Sequence, residues 1–270
     1  VNLAASNIAW DQAEEAQIAE LLHSRGITRV EIAPTKVFAD PTSVSETEVR
    51  DYRALWNDQG IGIVAFQSML FGREDLLVFG DDAVRRETID YLARFIELAG
   101  RLGAGVLVFG SPRNRRVPDG MSPAEADDIA AGFFAKLGQI AVDNDTVFCI
   151  EPNPVAYDCN FVVDAAHGLG LVSRVAHPGF GLHLDAAGMT LAGDDLYDSV
   201  VAAASWLRHF HASAPFLGVL EDEVVRHDRA ARALTDIGYD RTVSIEMRPA
   251  AEGGNVERIA AALDVAERYY

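Results

Sequence analysis

Cysteine is scarce: Cys149 and Cys159 are the two sulfhydryls in 270 residues. That excludes a disulfide framework and fits a reducing, cytoplasmic setting. No apolar run reaches the length of a bilayer span, so a membrane role is not expected. Basic residues are few as well, with 23 Lys and Arg against 41 Asp and Glu, a formal net charge of −18. Nucleic-acid backbones are bound by clustered cations, so a broad nucleic-acid surface is not expected either. No G-x-G-x-x-G follows the first strand-like stretch, which removes the commonest dinucleotide-binding signature. Linkers and low-complexity segments are also missing. With 49% hydrophobic residues the chain can bury a large core, and it reads as one domain over residues 1–270.

What is present is one alternation repeated to the end. Strand-like stretches are expected at 1–8, 29–33, 62–67, 105–109, 146–150, 181–185, 209–212 and 242–246. Helical spacing is expected at 11–24, 45–59, 82–102, 123–142, 161–175, 196–207, 224–237 and 256–270. Ser45 with Glu48 has the spacing of a capping box, and Gly103 stands where a helix-ending glycine belongs. Strands that alternate with helices imply a parallel sheet with right-handed crossovers. Eight such units in about 250 residues match the α/β class and the (β/α)₈ TIM barrel. An open doubly wound sheet is the structural alternative.

Four of these strands end on polar residues. Val147-Phe148-Cys149-Ile150 runs into Glu151, Gly181-Leu182-His183-Leu184 into Asp185, Leu207-Arg208-His209-Phe210 into His211, and Thr242-Val243-Ser244-Ile245 into Glu246. A carboxylate at the end of an apolar strand is costly to bury without a partner. Three carboxylates and one imidazole form a ligand set for one divalent cation. In a barrel these residues close strands five to eight, neighbours around half the ring, at the end where active sites sit.

Other positions are candidate substrate contacts. Strand parity puts Asn153 on the face of Glu151, Arg248 on that of Glu246, and His183 and His209 one layer below the ligands. His209 reads as a hydrogen-bonded core residue, and His183 as either support or substrate contact. Glu31 and Gln67, at the ends of strands two and three, have the chemistry to bind hydroxyl groups. Arg113, Arg115 and Arg116 crowd one loop after strand four, and Arg113 or Arg115 at the barrel mouth would suit a phosphate or carboxylate. Trp10, Phe38, Phe66, Phe71 and Phe216 are candidate walls of a sugar site. Cys149 shares the parity of Glu151 but lies deeper, and reads as buried filler.

The Glu151, Asp185, His211, Glu246 series, with the helical run from Ala83 to Ala104, resembles the xylose-isomerase-like TIM-barrel superfamily of sugar isomerases and epimerases over essentially the whole chain. In its ketose 3-epimerase branch the four residues hold one metal, which implies Mn, Mg or Co here, with Zn or Fe as further candidates, and the two Glu exchange protons with a substrate carbon. The resemblance therefore implies Glu151 and Glu246 as both ligands and acid–base groups, with Asp185 and His211 as ligands only. Gly188 and Leu217 stand where that branch has a His and an Arg, and the arginine loop points to an anionic substrate instead of a free ketose. A sugar isomerase or epimerase of a small carbohydrate-like carbonyl compound is the expected function. The alternatives are a metal-dependent lyase or dehydratase, an AP-endonuclease-like nuclease needing three metals and further His ligands, and a barrel that binds without turnover. Homo-oligomers are common among such barrels, and no interface can be read from these residues.

Overall fold

The computed structural model describes residues 1–221 and 224–270. Eight strands are laid down in chain order: β1 (Asn2–Ser6), β2 (Arg29–Ile32), β3 (Gly62–Phe66), β4 (Val106–Phe109), β5 (Val147–Ile150), β6 (Phe180–Asp185), β7 (Leu207–Ser213) and β8 (Thr242–Glu246). Each is parallel to the next, and β8 returns to β1 through Asn2–Thr242 to Ala5–Ile245, so the sheet closes into a barrel. Among the described residues ten α-helices accompany them: α1 (Glu15–Ser24), α2 (Pro34–Val37), α3 (Glu46–Asn57), α4 (Asp82–Leu102), α5 (Pro123–Asp143), α6 (Ala165–Val175), α7 (Ala186–Ala192), α8 (Leu196–Ala202), α9 (His227–Asp236) and α10 (Asn255–Tyr269). This is the (β/α)₈ TIM barrel. Among the described residues no helix is long and apolar enough to cross a membrane.

Local chemistry sets the helix ends. The Ser45 hydroxyl accepts from the Glu48 N–H at 3.3 Å, while the Glu48 carboxylate accepts from the Ser45 N–H at 2.9 Å, a reciprocal box that starts α3. Asp81 accepts from the Ala83 and Val84 N–H groups at the start of α4, and Gly103 ends that helix at φ +84°, a conformation glycine adopts without a Cβ penalty. The outer layer packs through aromatics. Phe134 of α5 stacks on Phe180 of β6 at 4.8 Å and also meets Phe109 and Phe148 of β4 and β5.

Most expected elements differ from the structure by a few residues at their ends, and three differences stand out. The sixth unit carries two short helices, α7 and α8, because Gly193 at φ +82° turns the chain between them. The seventh strand reaches two residues further back than 209, to Leu207, and one further forward, to Ser213. The short α2 follows β2 with Pro34 at its first position, where a missing N–H costs nothing.

Register then fixes height within the barrel. His183 pairs with His209 and Asp185 with His211 across β6 and β7, and Ser213 pairs with Glu246 across β7 and β8. Side chains two apart share a face, so His183 and His209 form an inward layer beneath Asp185 and His211.

Candidate metal centre

Glu151 emerges directly from β5 beneath the barrel mouth. Its carboxylate lies so close to the backbone of Gly110 that a Cβ there would meet Oε2 at 1.9 Å. A glycine at the end of β4 therefore makes the space this carboxylate occupies. Asp185 closes β6 with both oxygens held: Oδ1 accepts from the Gly188 N–H at 2.5 Å, and Oδ2 accepts a short hydrogen bond from the Ser213 hydroxyl. Ser213 in turn accepts from the Ala187 N–H at 3.1 Å. Glu246 closes β8, with its Oε2 3.4 Å from Nδ1 of His211.

His211 faces two ways. Its Nε2 lies 2.9 and 3.1 Å from the two oxygens of Glu31, a fully buried carboxylate on β2. Its Nδ1 is buried, makes no hydrogen bond of good geometry among the described residues, and points at the carboxylates. Ligand atoms of Glu151, Asp185 and His211 all lie within 4.8 Å of one another.

This crowding shifts the protonation of Glu151, Asp185, His211 and Glu31. Burial, then the charges of Glu246 and Asp185, push Glu151 up to about 8. Burial, then Glu246, push Asp185 up to about 6. Burial works against an imidazolium at His211, yet Glu31 and Glu246 together outweigh it and hold the ring's pKa well above the usual histidine value. Burial likewise opposes ionisation of Glu31, and the His211 and His209 imidazoles together carry it well below the usual carboxylate range. Three carboxylates facing one inward imidazole nitrogen suit a bound divalent ion, and the Gly110 cradle leaves Glu151 the room to reach one. The residues fit the group.

The remaining expected contacts divide. Gln67 and Asn153 are buried and line the cavity above the cluster, and Gln67 donates to the Ser6 hydroxyl at 2.6 Å. Arg113 lines the outer rim, 77% exposed and paired with Glu74 at 2.8 Å. Arg115 is displaced from its expected place at the mouth. It is completely buried, donating through Nε to the Phe161 carbonyl, through Nη1 to Phe109 and through Nη2 to Glu151, at 3.1, 3.1 and 2.7 Å. Arg116 pairs with Asp158 away from the cavity. Glu31 is fully buried, outside the cavity lining, and lies against Nε2 of His211. His183 is fully buried, its ring 4.1 Å from that of His211 and its Nε2 3.9 Å from Glu151, which makes it a packing neighbour of the cluster. Arg248 is exposed and outside the cavity lining. Cys149 is buried, and burial pushes its thiol up to about 12, in keeping with an inert side chain.

The cavity measures about 720 Å³. Of the five aromatics marked as candidate walls, Trp10, Phe38 and Phe66 are buried core, while Phe71 and Phe216 line it and remain exposed at the rim. Sequence reasoning missed Tyr157, Ser213 and Gly110. Ser213 shares a face with His211 two residues earlier, so strand parity would have found it; Tyr157, six residues beyond Glu151 in the mouth loop, carries no such signal.

A family model described as "Xylose isomerase-like TIM barrel" matches residues 19–269. No curated protein sequence matches the chain. Among solved structures it is similar to D-psicose 3-epimerase from Clostridium cellulolyticum H10, with a TM-score of 0.84 and 17% identity over 100% of this chain and 99% of that one. It is similar to 3-keto-D-glucoside 4-epimerase from E. coli, with a TM-score of 0.78 and 15% identity over 98% and 99%. The IOLI protein, solved with a zinc atom, gives a TM-score of 0.75 and 18% identity over 100% and 99%. At these identities the structural likeness speaks to the fold, and the family rests on the model spanning nearly all of the chain: this protein belongs to the xylose isomerase-like TIM barrel family.

Proposed function

We propose that this protein is a divalent-metal-dependent epimerase or isomerase of a small, neutral, sugar-like carbonyl compound. The observation that carries the reading is the placement of Glu151 and Glu246 in one cavity, from strands three places apart in the ring, beside Asp185 and the inward nitrogen of His211. Glu151, Asp185, His211 and Glu246 would hold the metal, which supplies the Lewis acidity that makes a C–H beside a carbonyl removable. The zinc atom in one structural neighbour and the sugar epimerases among the others support this reading.

The chain's own part is proton transfer and positioning. One carboxylate takes the proton from the substrate carbon on one side, and the other, protonated, returns a proton from the opposite side. The carbon is inverted: the removed proton stays on the first Glu, the delivered proton comes from the second, and exchange with solvent resets both. Because the reverse reaction uses the same path, each residue serves as base in one direction and acid in the other. Asp185 and His211 keep their positions through Ser213, Gly188 and Glu31.

Neutrality of the substrate follows from the lining. Arg113 is the only Lys or Arg among the described lining residues and is already paired with Glu74, whereas Glu151, Asp185 and Glu246 all face inward. Beyond the metal itself, the described lining leaves no unpaired Lys or Arg to hold a phosphate or carboxylate. Gln67, Asn153 and Ser111 offer hydroxyl partners, and Phe71 and Phe216 offer apolar faces to C–H surfaces.

The test is deuterium exchange. Mn²⁺-loaded protein incubated in D₂O with a panel of neutral ketoses and keto-glycosides is expected to place deuterium at one carbon, read by NMR, with no loss of water. Glu246→Gln and Glu151→Gln should each lower the exchange rate by about 10³-fold or more. Release of water with an absorbing enone would reassign the chemistry to a lyase. No exchange across the panel would overturn the reading.

A further inference from the structure

We propose that Glu31 is a positioning residue: it fixes the ring and tautomer of His211 so that Nδ1, not Nε2, faces the carboxylate cluster. The proposal rests on the metal reading given above and adds to it a residue on the far side of the barrel, on β2, that touches neither substrate nor metal.

The geometry leaves His211 little choice. Glu31 is 0% exposed, and both of its oxygens lie within hydrogen-bond reach of one nitrogen, Nε2, at 2.9 and 3.1 Å. An ionised carboxylate only accepts. Nε2 must therefore carry the proton, and in the neutral ring the lone pair is left on Nδ1, the atom 3.4 Å from Glu246. Two oxygens on one N–H also fix the ring plane, which a single contact would leave free to rock. Glu31 is itself held: Nε2 of His209 stands 3.4 Å from its Oε1, and the His209 ring lies 5.3 Å from that of His211. The His183 ring closes the other side of His211 at 4.1 Å. Carboxylates behind metal-binding imidazoles orient the ring and raise its basicity, and their loss weakens metal binding by 10- to 100-fold.

Glutamine is the informative replacement, because it keeps size and shape but removes the obligation. Its amide can accept from Nε2–H, or it can flip and donate to a bare Nε2, which allows the opposite tautomer. Zn²⁺ serves as probe in two measurements on the full chain. Calorimetric titration is expected to show Glu31→Gln binding Zn²⁺ about 10- to 100-fold more weakly than the native chain. In the Zn²⁺-loaded, ¹⁵N-histidine-labelled native chain, His211 is expected to show a slowly exchanging Nε2–H signal, assigned by its loss in His211→Gln; in Glu31→Gln that signal should broaden or vanish. Glu31→Asp keeps the charge with a shorter reach and is expected to fall between the two, which keeps the test open should the glutamine variant fail to fold. Equal Zn²⁺ affinity within threefold, with the Nε2–H signal intact in Glu31→Gln, would overturn the assignment and leave the metal reading standing. A native chain that takes up no Zn²⁺ at all would instead remove the reading on which it rests.

Discussion

Arg115 shows how little a residue's charge says about its task until the surrounding backbone is known. Its guanidinium donates to the carbonyls of Phe109, Glu151 and Phe161, tying the ends of β4 and β5 to the chain ahead of α6. The five fixed donors of arginine suit that fork, and a lysine ammonium cannot span it. Replacing Arg115 by Met keeps the bulk but removes three charge-assisted hydrogen bonds to backbone carbonyls, so urea unfolding should show a loss of about 3 kcal/mol or more. The matching change at Arg113, exposed and paired with Glu74 on the surface, should alter stability by less than about 0.5 kcal/mol. Similar losses for both variants would refute the distinction drawn between them. The sequence put both arginines at the mouth because they share one loop. It could not show that the 3-10 turn at Arg113–Arg115 would bury the second of them against a carbonyl 46 residues away. Glu151, Asp185, His211 and Glu246 were legible for the opposite reason. Each lies at or near the end of an apolar strand, where the two-residue period alone decides which way it points.

The mouth elements are less regular than the barrel beneath them, and one stores strain. In the turn Pro215–Leu217, Phe216 (φ +58°, ψ +32°) and Leu217 (φ +56°) both adopt the left-handed conformation that side chains disfavour. Each costs about 1 kcal/mol or more. The turn is clamped by three hydrogen bonds: the Phe216 N–H donates to the Tyr157 hydroxyl at 3.0 Å, the Arg248 N–H to the Leu217 carbonyl at 3.0 Å, and the Gly218 N–H to the Pro215 carbonyl at 3.1 Å. Tyr157 also meets the Phe216 ring edge-on at 5.4 Å. Strain held in this way puts an aromatic face at the rim of the cavity, where C–H surfaces of a sugar would rest. Tyr157→Phe removes the hydroxyl while keeping the ring contact. With the substrate identified by deuterium exchange, KM should rise about 3- to 10-fold while kcat stays within about twofold, since the change touches binding and not proton transfer. An unchanged KM would mean the clamp has no part in holding substrate. Neither the strain nor the clamp was legible in the residues, because Pro-Phe-Leu at 215–217 carries no glycine to announce a left-handed turn.

At the scale of the whole barrel, closure turns residues distant in sequence into neighbours across the interior. Glu31 on β2 reaches His211 on β7 across a chord of the ring that no periodicity reveals, so its contact with the histidine was not legible in the sequence. Closure also gathers negative charge into one end of a chain that already carries −18. Without a cation, Glu151 titrates near 8 and Asp185 near 6, both above the ordinary values of 4.5 and 3.8. Between the ordinary and raised values the folded chain holds protons that the unfolded chain has released. Their contribution is fully present below the ordinary carboxylate range and is lost as pH rises through about 6 and then about 8. His211, also raised, acts in the same direction above its usual value. In EDTA, therefore, the urea midpoint should fall steadily from pH 5.5 to 8.5. A divalent cation reverses the balance, because it binds the deprotonated carboxylates and protons compete with it. Its stabilisation follows the ratio of free cation to Kd, and Kd should drop about tenfold or more per pH unit across this window. The midpoint with Mn²⁺ should consequently separate from the EDTA curve as pH rises, by little at 5.5 and most at 8.5. A gap that stays constant over that range would mean the cation binds elsewhere than among Glu151, Asp185, His211 and Glu246.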